Sequence, residues 1–272
     1  MSKTIFITGA SRGFGKIWAE AFLKRGDNVA ATARDLSQLD DLVEKYGDRL
    51  LPIQLDVNNR KADFAAIHQA KEYFGSIDVL INNAGYGLFG AIEETSEKEA
   101  RDQIEVNVFG LLWLTQAVIP VMREQGYGHI INLSSVLGLV SAPTLGLYNA
   151  SKYAVEGISE TLAAEVKQFG INVSLVEPNA FSTDWIGASA IHTQAMPEYD
   201  KLKADFQAGF PEDFFGHPAA TTEAIIKLVD AENPPLHFFL GKKAYQWVKQ
   251  EYKTRFDEWD KWNDVSVAAH GH

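Results

Sequence analysis

The stretch Lys3-Thr4-Ile5-Phe6-Ile7-Thr8-Gly9-Ala10-Ser11-Arg12-Gly13-Phe14-Gly15 decides the fold. The β-branched and aromatic run at 3–7 reads as a strand. Ile17, Trp18, Ala21, Phe22 and Leu23 then mark an amphipathic helix that stops at Gly26. The turn between them reads Thr-Gly-x-x-x-Gly-x-Gly. In that setting glycines let the backbone approach a pyrophosphate, and the helix N-terminus offers free N–H groups to it. A glycine motif in isolation is weak, since tight turns need glycine for steric reasons alone. Its place between a first strand and a first helix favours the phosphate reading.

Outward from this turn, strand-like segments at 3–7, 28–33, 50–55, 78–82, 129–134, 171–177 and 236–240 alternate with helical ones. The helices fall at 13–25, 36–46, 61–74, 97–124, 148–169 and 220–230. This alternation predicts an α/β protein whose parallel sheet is covered on both faces. Ser96 with Glu99 predicts a capping box at the 97–124 helix. A length of 272 residues with 46% hydrophobic content suits a single domain over 1–272 with one ample core. Residues 184–216 break the pattern with a long connection rich in Trp185, Tyr199, Phe206, Phe210, Phe214 and Phe215, expected to form a substrate lid. Over 242–272, Tyr245, Val248, Tyr252, Phe256, Trp259 and Trp262 recur at helical spacing. They predict a C-terminal helical extension packed on the domain or on a partner subunit.

With 25 basic and 36 acidic residues the net charge is −11, which disfavours nucleic acid and anionic membranes as partners. Cysteine is absent, so disulfides and thiolate chemistry are excluded. The 7 histidines lack metal-ligand spacing, and no Gly-x-Ser-x-Gly elbow occurs, so neither a metal nor a serine nucleophile is expected. No signal peptide is visible, and the most apolar stretch, 110–122, is interrupted by Thr115, Gln116 and Pro120. A cytoplasmic protein without a bilayer span is the expectation.

A second constellation is Tyr148-Asn149-Ala150-Ser151-Lys152. Four residues apart on a helix, phenol and amine project from one face. An ammonium beside a phenol favours the phenolate and makes a better proton shuttle near neutral pH. Ser135 closes the preceding strand and is placed to donate a hydrogen bond to a substrate oxygen; alternation points its rival Ser134 to the other face. Asn107 stands mid-helix, where propensity disfavours it, between Val106 and Val108.

In order and spacing, Thr8 to Gly15, Asn82-Asn83-Ala84-Gly85, Asn107, Ser135 and Tyr148 with Lys152 resemble the motif set of the short-chain dehydrogenase/reductase family over residues 1–185. The similarity is greatest to its 17β-hydroxysteroid-dehydrogenase-like and retinol-dehydrogenase-like branch. The resemblance implies a doubly wound Rossmann fold, a seven-stranded sheet of order 3-2-1-4-5-6-7, and ligands where that order reverses. It implies a nicotinamide cofactor held by Gly9, Ser11, Arg12, Gly13, Phe14, Gly15, Asp56, Val57, Asn83, Ala84, Gly85, Tyr148, Lys152, Pro178 and Thr183. Asp56 would accept from the adenine amino group, with a plain turn former as the other reading. Asn179 replaces a family glycine; asparagine tolerates left-handed backbone, though its side chain would narrow the nicotinamide pocket. For catalysis the resemblance implies Tyr148 as proton donor and Ser135 as holder of the carbonyl oxygen. Lys152 would bind ribose and lower the Tyr148 pKa, and Asn107 would hold a water linking Lys152 to solvent. Homodimers or homotetramers through the 97–124 and 148–169 helices are implied as well.

Ala31-Thr32-Ala33-Arg34-Asp35 bears on cofactor choice. Ala33 stands where the family's NAD-selecting aspartate falls, and Arg34 and Arg12 match basic positions of NADP-preferring relatives. Charge-assisted bonds contribute about 1.5–3 kcal/mol each, and a net 2–4 kcal/mol means roughly 30- to 1000-fold in favour of NADPH. Asp35 is the competing acid, but Asp35-Leu36-Ser37-Gln38 also reads as a helix N-cap with a capping-box partner at Gln38. The expectation is an NADP(H)-dependent carbonyl reductase or alcohol dehydrogenase. Its substrate would be a medium-sized, largely apolar ketone, aldehyde or secondary alcohol, in a pocket of Phe89, Leu137, Val140, Leu145 and Trp185. The alternative is a non-catalytic NADP(H)-binding redox sensor or scaffold of the same fold.

Overall fold

A computed structural model describes residues 2–185, 187, 189–209 and 214–271. Phe210, one of the aromatic residues expected in the lid, lies outside the described residues. In chain order the strands are β1 (Thr4–Ile7), β2 (Asn28–Ala33), β3 (Leu50–Gln54), β4 (Val79–Asn82), β5 (Leu88–Phe89), β6 (Gly128–Leu133), β7 (Ile171–Pro178), β8 (Ile191–His192) and β9 (His237–Leu240). Seven form one sheet of order β3-β2-β1-β4-β6-β7-β9, while β5 and β8 pair separately. With the two short strands left out of the count, this is the expected 3-2-1-4-5-6-7. β1 pairs in parallel with both β2 and β4, so the order reverses there.

The sheet is apolar on both faces because helices cover both. Ile5 and Ile7 of β1, Val29 and Ala31 of β2, and Val79 and Ile81 of β4 share one core cluster with Trp18, Phe22, Ile225 and Leu228. The alternate residues Phe6, Ala30 and Leu80 belong to the opposite cluster with Ile67, Leu114, Val118 and Leu162. Alternate side chains of a strand point to opposite faces, so each strand reads as a continuous apolar run.

The helices are α1 (Gly13–Arg25), α2 (Asp40–Tyr46), α3 (Arg60–Phe74), α4 (Glu97–Ile104), α5 (Leu111–Gln125), α6 (Gly146–Val166), α7 (Asp200–Ala208), α8 (Thr222–Asp230) and α9 (Ala244–Ala268). The Ser96–Glu99 capping box is present. The helix expected at 97–124 is interrupted by a π-helical turn over Glu105–Gly110 that contains Asn107. Such turns insert one extra residue and recur at functional sites. The whole run Glu97–Gln125 is long and apolar enough to cross a bilayer, contrary to the sequence expectation. Leu111, Leu114, Val118 and Met122 are nevertheless buried inside the protein, as in a core helix. Among the described residues the lid segment holds β8 and α7.

Candidate functional site

The glycine turn is fixed by hydrogen bonds to its neighbours, among them Thr8 N–H to the Ile81 carbonyl at 3.1 Å and Ala10 N–H to the Thr32 carbonyl at 2.8 Å. The Thr8 hydroxyl accepts from the N–H groups of Asn83 and Ala84, both at 2.9 Å. The Asn83 amide donates to the carbonyls of Thr8 at 2.8 Å and Gly9 at 3.2 Å. Gly9 has φ of 65°, and a Cβ on Gly15 would stand 2.3 Å from the Gly9 oxygen, so any side chain at 15 collides with backbone. α1 begins at Arg12 with no side-chain cap and no acid in its first turn. Its leading N–H groups are therefore open to an anion. Thr183 reaches the same turn, its Cβ 3.9 Å from where a Gly13 Cβ would be.

Several expected cofactor residues make contacts within the protein as well. The Phe14 ring stacks on Trp18 at 4.9 Å and meets Phe181 edge-on at 5.3 Å. Asp56 accepts from the Asn58 N–H at 3.1 Å, the turn-forming arrangement, and is exposed. Val57 packs in the core. Gly85 sits against the Asn107 side chain. Pro178 ends β7, paired with Leu240. Asp35 caps its 3-10 turn through the Ser37 N–H at 3.0 Å rather than through a box with Gln38. Arg12 and Arg34 are exposed, and among the described residues neither guanidinium has a side-chain partner. On a chain of net charge −11, two such guanidiniums stand out as local positive charge.

Asn179 departs from expectation. Among the described residues Thr144 alone, apart from glycines, has a positive φ, so the turn at 179 needs no left-handed residue. Its amide donates to the Ala180 and Phe214 carbonyls at 3.1 and 3.3 Å. Its Oδ1 lies over Gly241, where a Cβ would come within 1.8 Å. The side chain thus fills space at the end of β9.

Ser135, Tyr148 and Lys152 converge at the carboxyl end of β6. The Ser135 hydroxyl lies within interaction reach of the Tyr148 phenol. Lys152 Nζ is 5.7 Å from the Tyr148 ring centre and donates to the Leu133 carbonyl at 2.7 Å. Ser134, expected on the other face, donates instead to Glu156 of the same helix as Tyr148 and Lys152. Burial pushes the Tyr148 phenol above its ordinary value, and the Ser135 hydroxyl draws it part of the way back. Among the protein's own groups, burial therefore outweighs the lowering expected from Lys152, whose amine is turned to the Leu133 carbonyl. Burial in turn brings Lys152 down to about 8 against an upward pull from Glu156. Asn107 accepts from the Tyr86 N–H at 3.1 Å and donates to the Tyr86 carbonyl at 3.0 Å and to Ser151 Oγ at 3.2 Å. Its amide bonds backbone and Ser151.

Phe89, Leu137, Val140, Leu145 and Trp185 all pack in one cluster with Tyr148. Trp185 covers the phenol, ring centres 4.9 Å apart, and leans on Phe89 at 5.1 Å. The two ends of the lid are tied by Ser182 N–H to the Gly216 carbonyl at 2.9 Å and Gly216 N–H to the Ala180 carbonyl at 3.0 Å. Its middle is clamped by Glu94, which accepts from Ala91 N–H and Met196 N–H, each at 2.7 Å, and from Lys203. The Lys203 ammonium first, then the Met196 N–H, hold the Glu94 carboxyl down at about 2. Sequence reading missed Glu94, whose lid partners lie about a hundred positions away and leave no local signal. It also missed Glu156, although its four-residue spacing from Lys152 was in plain view.

The family pattern described as short chain dehydrogenase matches residues 3–192. The chain belongs to that family of oxidoreductases. It is 36% identical to oxidoreductase BOA17 of Botryotinia fuckeliana, over 99% of this chain and 100% of that protein. It is 39% identical to a 3-ketodihydrosphingosine reductase of Bacteroides thetaiotaomicron, covering 87% of each. A 17-beta-hydroxysteroid dehydrogenase type 6 of Rattus norvegicus is 33% identical over 83% of this chain and 71% of its own length. Among solved structures, a short-chain dehydrogenase from Streptomyces avermitilis superposes with a TM-score of 0.90 at 39% identity, covering 98% of both chains. A 3-ketoacyl-(acyl-carrier-protein) reductase from Brucella melitensis complexed with NADH superposes with a TM-score of 0.76 at 27% identity, over 88% of this chain and 96% of that one. ElxO with NADP bound gives 0.77 at 26% identity, over 90% of this chain and 100% of that one.

Proposed function

We propose that this family member is an NADPH-dependent carbonyl reductase, reversible as an alcohol dehydrogenase, for a medium-sized and largely apolar ketone, aldehyde or secondary alcohol. The observation that carries the reading is the convergence of Ser135 and Tyr148 at an apolar cluster, with Lys152 one helical turn away. The glycine turn fits a dinucleotide: backbone close to where a pyrophosphate would lie, an uncapped helix start, and no room for a side chain at Gly15. A bound nicotinamide would exchange a hydride with the carbonyl carbon.

The protein's own groups do the rest. Ser135 holds the carbonyl oxygen as charge develops on it, and Tyr148 delivers the proton to that oxygen. Lys152 binds ribose hydroxyls and, once drawn from the Leu133 carbonyl, sets the phenol's proton affinity. Trp185 and Phe89 exclude water and select apolar substrates. Unpaired Arg12 and Arg34, with Ala33 in place of an acid, favour a 2′-phosphate; two related structures carry NADH and NADP respectively, so preference rests on this chain's own residues. A homodimer or homotetramer through α5 and α6, in the cytoplasm, completes the reading. A groove of about 390 Å³ between these helices, lined by Leu112, Ile119, Ile158 and Leu162, supports the pairing.

The test is NADPH consumption over a panel of apolar ketones and aldehydes by the wild type and Tyr148→Phe. We expect turnover by the wild type and a loss on the order of 10²- to 10⁴-fold in the variant. NADPH binding with no turnover on any carbonyl would favour the sensor or scaffold instead. Arg34→Ala should weaken NADPH use by roughly 10- to 100-fold and spare NADH; equal losses for both cofactors would refute the phosphate role.

A further inference from the structure

The stripe that carries Tyr148 and Lys152 continues along α6 with Glu156 and Glu160 at the same four-residue interval, so phenol, amine and two carboxyls line one helix face. Glu156 is 4% exposed, and Glu177 of β7 opposite it is 0% exposed. The Ser134 hydroxyl donates to Glu156, and Glu177 Oε1 bonds His237 Nδ1 at 2.7 Å. That same nitrogen lies 3.6 Å from Glu156 Oε2, and His237 Nε2 lies 3.8 Å from Glu160 Oε1. The His237 side chain, at the start of edge strand β9, is 37% exposed. The cluster therefore begins beside the buried amine and ends in solvent. Gly138 makes room for it: a Cβ there would be 2.7 Å from Ser134 Oγ and 2.8 Å from Glu156 Oε1.

Among the described residues Glu156 Oε2 and Glu177 Oε2 are buried and find no donor. The two carboxyls nonetheless lie within hydrogen-bonding reach of each other. Two carboxylates, being acceptors only, cannot make that bond, whereas a pair holding one proton can. A shared proton supplies the donor that this contact lacks. Burial raises both carboxyls, Glu156 further through the charge of Glu177. The groups facing Glu156 are Lys152 and Glu160 from its own helix, Glu177 from β7, His237 from β9 and Tyr252 from α9.

We propose that Glu156 and Glu177 hold a shared proton that resupplies Lys152 during turnover, with His237 as its exchange point with solvent. The inference rests on the carbonyl reductase reading. In reduction, Tyr148 gives its proton to the carbonyl oxygen and recovers one from the Lys152 ammonium. Lys152 recovers one from the carboxyl pair, and the pair recovers one from water through His237. One proton enters per carbonyl reduced, and both electrons arrive with the hydride; oxidation runs the path outward. Helix neighbours four apart have Cβ atoms about 5–6 Å from each other, within a lysine's reach. The anchors of the two groups, the Leu133 carbonyl and the Ser134 hydroxyl, belong to consecutive residues. Glu156 and His237 act through Lys152 and are positioning residues.

The experiment uses the full chain, NADPH and the fastest carbonyl of the panel. His237→Gln should lower kcat on the order of tenfold near pH 9 and little near pH 6, with KM unchanged and rate restored by added imidazole. Glu156→Gln should lose rate without that rescue, and Glu177→Gln takes its place should the first fail to fold. Independently of activity, infrared spectra of the resting protein near pH 7 should contain the stretch of a buried protonated carboxyl that either glutamine variant abolishes. A His237→Gln loss equal at every pH and indifferent to imidazole, or no protonated-carboxyl band that the glutamine variants remove, overturns the proposal and leaves the reductase reading in place. A wild type that reduces no carbonyl overturns that reading, while the infrared result still decides whether the proton is held.

Discussion

The cofactor half and the lid half of the molecule are held in different ways. Around the glycine turn, position is fixed by backbone: Gly15 has no room for a Cβ, and the Thr8 hydroxyl and Asn83 amide tie β1 to β4 through main-chain groups. Behind it, Asn82 donates to Asn132 at 2.9 Å and Asn132 to Ser159 at 2.8 Å, a buried polar ladder from β4 through β6 to α6. Over the substrate side, position is held by a few side chains: the Glu94 carboxylate, the Trp185 ring over Tyr148, and the 180–216 bridge. A rigid frame suits a constant ligand, while a tethered flap suits substrates that must pass Trp185 to reach a phenol only 6% exposed.

That contrast breaks most readily at Gly15. Gly15→Ala should reduce NADPH affinity by on the order of 100-fold or prevent folding, because the new methyl meets Gly9 backbone and the Asn83 amide; calorimetric titration and thermal unfolding measure it. A neutral outcome would mean that the frame yields as the flap does. Next is Asp63, buried with both oxygens unpartnered among the described residues and pushed up to about 7, first by burial and then by the charge of Asp56. Because the folded state holds this proton more tightly than the unfolded chain, its contribution is full below about pH 4 and is lost as pH rises through 7. Asp63→Asn should be more stable than wild type near pH 8.5 by about 1–3 kcal/mol and should lose that advantage near pH 4. Urea unfolding at both pH values checks the sign.

On the lid side, Glu94→Gln should speed hydrogen exchange at the Met196 amide by roughly tenfold and leave sheet amides unchanged. Glu94 is held low by Lys203, so the clamp is present above about pH 4.5 and fades as pH falls towards 2. Uniform exchange changes would mean that the lid is part of the frame. The smallest effect belongs to the far half of α9, where Trp262 is 65% exposed. Trp262→Ser should alter unfolding free energy by no more than about 0.5 kcal/mol.

What was legible in the sequence follows the same division. Strand alternation, the glycine turn and the Tyr148–Lys152 spacing are local patterns imposed by backbone geometry, and the sheet order and the Ser135–Tyr148–Lys152 cluster agree with them. The π turn at Asn107 was hidden because an extra residue in a helical turn changes no composition. The direction of the Tyr148 shift was misjudged because spacing reports proximity to Lys152 and is silent about burial. Glu94, Glu177 and His237 became partners only through long-range contacts. Half of α9 packs as expected, through Ala244, Trp247 and Val248; the rest, with Phe256, Trp259 and Val265, faces outward.

The most direct measurement is an ultraviolet difference titration of the Tyr148 phenolate, wild type minus Tyr148→Phe, with and without NADP. With the dinucleotide bound and Lys152 drawn to its ribose, a single phenolate absorbance belonging to Tyr148 should appear at distinctly lower pH than without it. An unchanged titration on adding saturating NADP would contradict the claim that this phenol, tuned by this amine, is the group that moves the proton.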